Sequence, residues 1–421
     1  MIDNEIPKSR RPLVALLTAN AISLAGNQIT TLAIPWYVLA TGGSAARVGL
    51  VGFFTILPTV ISAFLGGGIA DRFGRRRISI VGDLLSAVAV ASIPLLHETI
   101  GLSLWQLLVL VFLGALLDAP GNNARQSLLP DLIANSGVSA ERANSAYQTV
   151  YRLSQLLGPV VGGVLIAAIG ATSVLWIDAA TFVVSAAIVL HYVPIDVRAP
   201  REAQHYLREL IEGLNFIRAD RLLSWLAIML SLMNFLDAAS FSVVFPVYIK
   251  ESYDSARVLG FLFGTLGAGG VIGAILYGIW GTRLPRRKVF MISFTIVSFP
   301  PIVLSMTPPL WVIAPVLFFE GIAAGPLNPI LMTVRQERVP DALRGRVFGS
   351  FGAAAWVAMP AGILLGGVAV DAIGLRATFF AIGCIYLIST TSMYWNRSLR
   401  GMDPNYEGNP NVTLAESTAL K

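Results

Sequence analysis

The stretch Gly66-Gly67-Gly68-Ile69-Ala70-Asp71-Arg72-Phe73-Gly74-Arg75-Arg76-Arg77 joins two long apolar runs through a short basic turn. Its glycines let two helices approach closely, Asp71 ends the first run at a water interface, and Gly74 permits the reversal into the second. The flanking runs, residues 46 to 70 and 78 to 97, are each long enough for a helix that crosses a bilayer. Working outward, ten more such runs cover residues 13 to 39, 102 to 124, 143 to 168, 172 to 193, 223 to 249, 257 to 281, 289 to 307, 310 to 333, 346 to 370 and 375 to 395.

Composition agrees with this count. The 421 residues are 55% hydrophobic and 13% charged, with a mean hydropathy of +0.71. Soluble domains carry about 25% charged residues, so this chain lacks the ionic groups to coat a water-facing surface of its size, which excludes a soluble enzyme. Its net charge of +6 lies in short clusters between apolar runs, a pattern set by membrane topology rather than by nucleic-acid binding. Of the 30 basic residues, only Arg47, Lys250, Arg257 and Arg376 fall on the face opposite the N-terminus, and Arg152 falls inside a span. That bias predicts a multi-pass protein of the cell (plasma) membrane with both termini cytoplasmic. The lone cysteine, Cys384, lies in an apolar stretch and reads as an inert thiol.

The two halves repeat each other. Ala46-Arg47-Val48 recurs as Ala256-Arg257-Val258, and Arg75, Arg76 and Arg77 recur as Arg286, Arg287 and Lys288. Arg142, Gly158, Gly162, Gly163 and Gly170 recur in order as Arg346, Gly362, Gly366, Gly367 and Gly374. A repeat over an even number of spans is parallel, related by an axis along the membrane normal. The expected organisation is an N-tail (1 to 12), a six-helix bundle (13 to 193), a cytoplasmic linker (194 to 222), a second six-helix bundle (223 to 395) and a tail (396 to 421), with no fixed structure expected from Arg397 on. In the linker Tyr206, Leu207, Leu210, Leu214 and Ile217 recur at helical spacing and predict an amphipathic helix on the membrane surface.

The Gly66–Arg77 string closely resembles the signature loop of the major facilitator superfamily, and the resemblance extends over residues 10 to 395. It implies an all-α integral membrane fold of twelve helices in two parallel-related six-helix bundles. It further implies a cytoplasmic gate at Asp71, Arg72, Gly74, Arg75 and Arg76, closing against the helix after span 10. The second copy, residues 278 to 288, keeps the basic cluster but has no acid in the place of Asp71. Span 5 holds Gly158-Pro159-Val160-Val161-Gly162-Gly163, which is a helix-packing seam by its residues and is similar to the antiporter motif of family exporters. Residues 119 to 132 and Val339–Val347 resemble the branch containing macrolide-efflux and siderophore-exporter proteins. Drug/proton antiporters of the family carry an Arg within span 4, and here the span as delimited has none, leaving Arg152 of span 5 as its substitute.

An ionised group in the hydrocarbon region costs at least about 2.5 kcal/mol. Asp118, Arg152, Asp178, Asp237 and Glu320 all fall in spans. Asp118 and Arg152 read equally as an ion pair or as functional groups, and Asp178 as a group near the outer end of its span. The family fold implies a cavity lined by spans 1, 4, 7 and 10, placing Asp118, Asp237 and Glu320 beside Asn27 and Gln28, an environment that suits amphipathic cations. Asp237 and Glu320 sit near mid-depth, where a carboxyl that takes up and releases a proton suits a coupling role. The three histidines are scattered, and neither a zinc-protease motif nor a phosphate-binding loop occurs, so no enzyme, metal or cofactor is expected. The expected function is proton-coupled efflux of small amphipathic compounds by a monomer. Uptake symport and a receptor or scaffold on the same fold are the alternatives.

Overall fold

The computed structural model describes residues 9–194 and 206–403, with the side chains of 63–73, 206, 207 and 282 outside that description. Every regular element among the described residues is helical. The first half runs α1 (Arg11–Ala40), α2 (Ala45–Phe73), α3 (Arg75–Thr99), α4 (Leu104–Ala134), α5 (Ala140–Ile169) and α6 (Ala171–Tyr192), each unbroken. The linker contributes α7 (Tyr206–Ala219). In the second half α8 (Arg221–Ala239) passes through a π-helical turn, Ser240–Val244, into α9 (Phe245–Tyr253), followed by α10 (Ala256–Trp280). Then come α11 (Arg286–Val297), α12 (Phe299–Ser305), α13 (Leu310–Ala324), α14 (Leu327–Arg338), α15 (Arg344–Trp356), α16 (Met359–Ile373) and α17 (Leu375–Trp395). Twelve of the resulting rods are long and apolar enough to cross a membrane.

Local chemistry sets many of the ends. Ser139 accepts from the Arg142 N–H at the start of α5, and Asp220 Oδ1 accepts from the Leu222 and Leu223 N–H groups at the start of α8. Gly170 and Gly374, one repeat apart, both stand at φ +85, a left-handed conformation that allows the near-immediate turn between paired spans. Interruptions are confined to the second half. Pro300, Pro301, Pro326 and Pro360 have no N–H to offer the carbonyl four residues back, and the helix is broken at Ser298, at Gly325-Pro326 and at Val357-Ala358.

The chain forms two compact units. One comprises residues 1–43, 50–206 and 249–261, and the other 44–49, 207–248 and 262–421. In the first, Leu13 and Leu16 of α1 pack with Leu128, Leu129 and Leu132 of α4 and Val189 of α6. That packing carries α4 to Ala134, past the end at residue 124 that hydropathy predicts.

Two expectations are corrected in the second unit. The linker does form a helix, but Leu210 and Ile217 are buried in protein, not laid against lipid. Ser350 Oγ donates to the Leu210 carbonyl at 2.9 Å, and Arg346 bridges to Glu212 at 2.8 Å and Glu209 at 3.6 Å, so α7 docks on α15. The tail also keeps a fixed 3-10 turn, Arg397–Met402, because Leu399 and Met402 have an apolar site to fill and Arg338 donates to the Gly401 carbonyl. Residues 1–8, 195–205 and 404–421 of the expected tails and linker lie outside the described residues.

Candidate functional site

Because α4 continues to Ala134, Arg125 belongs to a membrane helix and not to a loop. It stands seven residues from Asp118, two turns along the same helix face. The guanidinium is fully buried, donating Nη1 to Asp83 of α3 at 2.5 Å and Nη2 to Ser23 of α1 at 3.2 Å. Asp118 lies 3.9 Å from Nη2 and accepts from Asn27 Nδ2 at 3.1 Å, while Ser185 of α6 donates to the other oxygen of Asp83 at 2.7 Å. One guanidinium therefore serves two carboxyl groups. With both carboxyls ionised the cluster carries one excess negative charge, and a single proton neutralises it.

A stripe on α1 organises these contacts. Asn20, Ser23, Asn27 and Thr30 recur at helical spacing, and the last three reach Arg125, Asp118 and Asp178 in turn. Asp178 is fully buried, with Thr30 donating to one oxygen at 2.5 Å and Thr181 to the other at 3.3 Å. It is thus an interior group bonded within the bundle, and its reading as a group that meets water near the outer end of its span is corrected on the contact with water.

The expected pairing of Asp118 with Arg152 is also corrected. Arg152 is exposed on α5, and the charge facing Asp118 is Arg125. Asn27 is where the sequence places it, beside Asp118, whereas Gln28 packs against Gly158 so closely that a Cβ there would fall 2.3 Å from the Gln28 Cβ. Gly162 faces Ile29 of α1, and Gly163 faces Ala256 and Gly260 of α10, while α5 runs through Pro159 without a break. The motif is thus a seam of close helix contacts.

At the turn after α2, Gly74 takes φ +88. Arg75 donates to the Ser127 carbonyl at 3.0 Å and pairs with Asp131 at 3.3 Å, and Arg76 donates to the Leu190 carbonyl at 2.5 Å. The side chains of Asp71 and Arg72 lie outside the described residues. The second half carries a counterpart in Arg286, paired with Glu337 at 2.7 Å.

Asp237 and Glu320 belong to the second unit. Tyr386 of α17 donates to Asp237 at 2.5 Å, and Glu320 is 6% exposed. Asp83, Arg125 and Tyr386 are the partners that sequence reading misses. The 3-4-3 spacing of polar residues in span 1 is the signal that points toward the first two.

The Transmembrane secretion effector family matches residues 7–415. The multidrug efflux pump Tap of Mycolicibacterium fortuitum is 33% identical over 400 residues, covering 94% of this chain and 98% of the relative. The pump of the same name from Mycobacterium tuberculosis (strain ATCC 25618 / H37Rv) is 34% identical over 383 residues, covering 89% of this chain and 90% of the relative. Among solved structures, the nucleoside transporter NupG superposes with a TM-score of 0.73 at 12% identity, covering 91% of this chain and 98% of that one. A bacterial homologue of the iron transporter ferroportin does so at 0.69 and 16%, covering 92% and 99%. These likenesses extend over both halves and share the fold described above.

Proposed function

The chain belongs to the transmembrane secretion effector family of major facilitator transporters, and from that membership we propose that it exports small amphipathic compounds in exchange for protons. It is a multi-pass membrane transporter and not an enzyme. The proposed exporter is a monomer in the plasma membrane with both termini cytoplasmic, needs no cofactor, and exposes its substrate site alternately to either side.

The observation that carries the coupling is the Asp83–Arg125–Asp118 cluster. Arg125 is held at 2.5 Å by Asp83, so Asp118, at 3.9 Å and bonded to Asn27, is the carboxyl left free to exchange a proton or meet a cationic substrate. Such a group alternates between neutral and charged forms only because the guanidinium beside it lowers the cost of the charged one. Arg125 supplies the span 4 arginine that Arg152 was expected to replace. Gate residues Asp71, Arg72, Gly74, Arg75 and Arg76 are proposed to close the cytoplasmic side, with Gly158, Pro159, Gly162 and Gly163 setting the packing of α5.

The test is transport of a permanent aromatic cation, ethidium, in proteoliposomes with an imposed proton gradient. Accumulation in the acidic compartment, abolished by a protonophore, is expected. Asp118→Asn should keep downhill exchange and lose the uphill component. Accumulation on the alkaline side would establish symport instead, and no flux at all would favour a receptor on this fold. The efflux pumps among the relatives weigh against both.

A further inference from the structure

The duplicated basic triplet is used differently in its two copies. Arg76 of α3 donates to the Leu190 carbonyl near the end of α6. Its counterpart is Arg287 of α11, and Tyr394 of α17 stands as far past Gly374 as Leu190 does past Gly170. The equivalent bond is not made. Among the described residues the Arg287 side chain has no hydrogen-bond partner, and its Nε is buried without one. In place of a bonded carbonyl, α17 leads into the 3-10 turn Arg397–Met402, which adds two arginines at this end of the bundle.

The turn is a folded feature. Leu399 and Met402 are buried, and Asp403 Oδ1 accepts from the Arg287 N–H at 3.4 Å, so the turn abuts the start of α11. Arg397 and Arg400, one 3-10 turn apart, share its outer face and are exposed. Lys288 is exposed on the face of α11 that continues through Ile292 and Thr295, and Thr295 hydrogen-bonds Tyr394 at 3.1 Å. Below these cations lie two neighbouring stripes of exposed apolar side chains, Ile292 and Ile296 on α11 and Ile388 and Trp395 on α17. Trp395, 77% exposed at the end of a span, marks the headgroup depth, and Arg397 lies just beyond it.

Arg287, Lys288, Arg397 and Arg400 have no carboxylate partner among the described residues, because Arg286 takes Glu337 and Asp403 serves a backbone N–H. Membrane topology requires basic residues on one side of the bilayer, but not a folded turn that gathers them. Guanidinium groups bind phosphate oxygens through paired N–H bonds, and a basic site above an apolar helix seam suits a lipid that has both a phosphate and acyl chains. We propose that the ends of α11 and α17 form a binding site for an anionic phospholipid, whose phosphate is held by Arg287, Lys288, Arg397 and Arg400 while its chains lie along the paired stripes. The site depends on the chain being embedded in a membrane and is independent of the direction or coupling of transport.

The experiment measures lipid retention by the purified full-length protein in detergent, using native mass spectrometry with added phosphatidylglycerol or phosphatidylcholine of matched acyl chains. Wild type is expected to retain one phosphatidylglycerol in preference to phosphatidylcholine. Arg397→Gln with Arg400→Gln should weaken that binding about fivefold for each cation removed, roughly 25-fold for the pair. Arg142→Gln with Arg218→Gln removes the same charge from exposed positions elsewhere and should leave it unchanged. Lys288→Gln alone, on an exposed side chain, should weaken it about fivefold and covers the case in which the turn does not tolerate the double change. Equal retention of the two lipids overturns the proposal, as does an equal loss in the two double variants, which would show diffuse attraction to a basic surface. Inorganic phosphate that displaces phosphatidylglycerol at equal concentration would identify a free-anion site and overturn the assignment to lipid. Ethidium transport enters none of these readouts, so the export reading and the lipid site fail separately.

Discussion

Arg125 of α4 and Asp83 of α3 meet at 2.5 Å with side chains that are 1% and 0% exposed. Neither partner reaches water, so each depends on the other for compensation. The pair fastens α3 to α4, while Ser23 and Ser185 tie it to α1 and α6.

Breaking the pair from one side should therefore be severe. Asp83→Asn is expected to cost about 3–5 kcal/mol, because it leaves a buried guanidinium with only the more distant Asp118, at 3.9 Å, to offset its charge. Asp83→Leu with Arg125→Met should recover most of that loss. Thermal unfolding in detergent measures both, and a double variant no more stable than Asp83→Asn would show that the pair is not the anchor.

Asp118 and Arg152 should behave as strangers. Their double-mutant coupling energy is expected to fall within about 0.5 kcal/mol of zero, whereas Asp118 with Arg125 should exceed it. A strong coupling to Arg152 would contradict the exposed position of that side chain on α5.

The seam between α5 and α1 predicts a size rescue. Gly158→Ala pushes a methyl into Gln28 and should cost about 1–3 kcal/mol. Adding Gln28→Gly, which removes the Cβ that the new methyl meets, should return part of it, as read from melting temperature. No rescue would mean that the two positions do not touch.

The docked linker is testable by hydrogen exchange. Ile217 is 3% exposed, so Ile217→Asp should free α7 and speed exchange of its amides, with little effect in α1 to α6. Slow exchange in the variant, equal to wild type, would place Ile217 against lipid or water instead.

How much of this was legible in sequence depended on the range of the contact. Spans are local, and a run of apolar residues announces each one. Arg125 was hidden because Pro120-Gly121-Asn122-Asn123 reads as a loop, yet in the interior of a bundle neighbouring helices satisfy such residues and α4 passes straight through them. Asp83 is a single acid in an apolar run, and nothing local identifies a partner 42 residues away. Asp237 and Glu320 were visible as mid-span acids. Tyr386, 149 residues from Asp237, could only emerge once the second bundle was assembled. Arg152 was misread because its depth was legible and the face it occupies on α5 was not.

The proline-linked breaks at Ser298, Gly325-Pro326 and Val357-Ala358 have a mechanical meaning. A continuous helix without an internal proline, such as α6, delivers a displacement at one end to the other, since every turn is bonded to the next. The rod made of α13 and α14 absorbs part of the same displacement at its joint, where Pro326 has no N–H to donate to the preceding turn. The duplicated halves have thus diverged in stiffness as well as in charge. Strain carried by an unbroken helix passes along it as along a strut, whereas strain carried by a jointed rod such as α13 and α14 is taken up partly as bending.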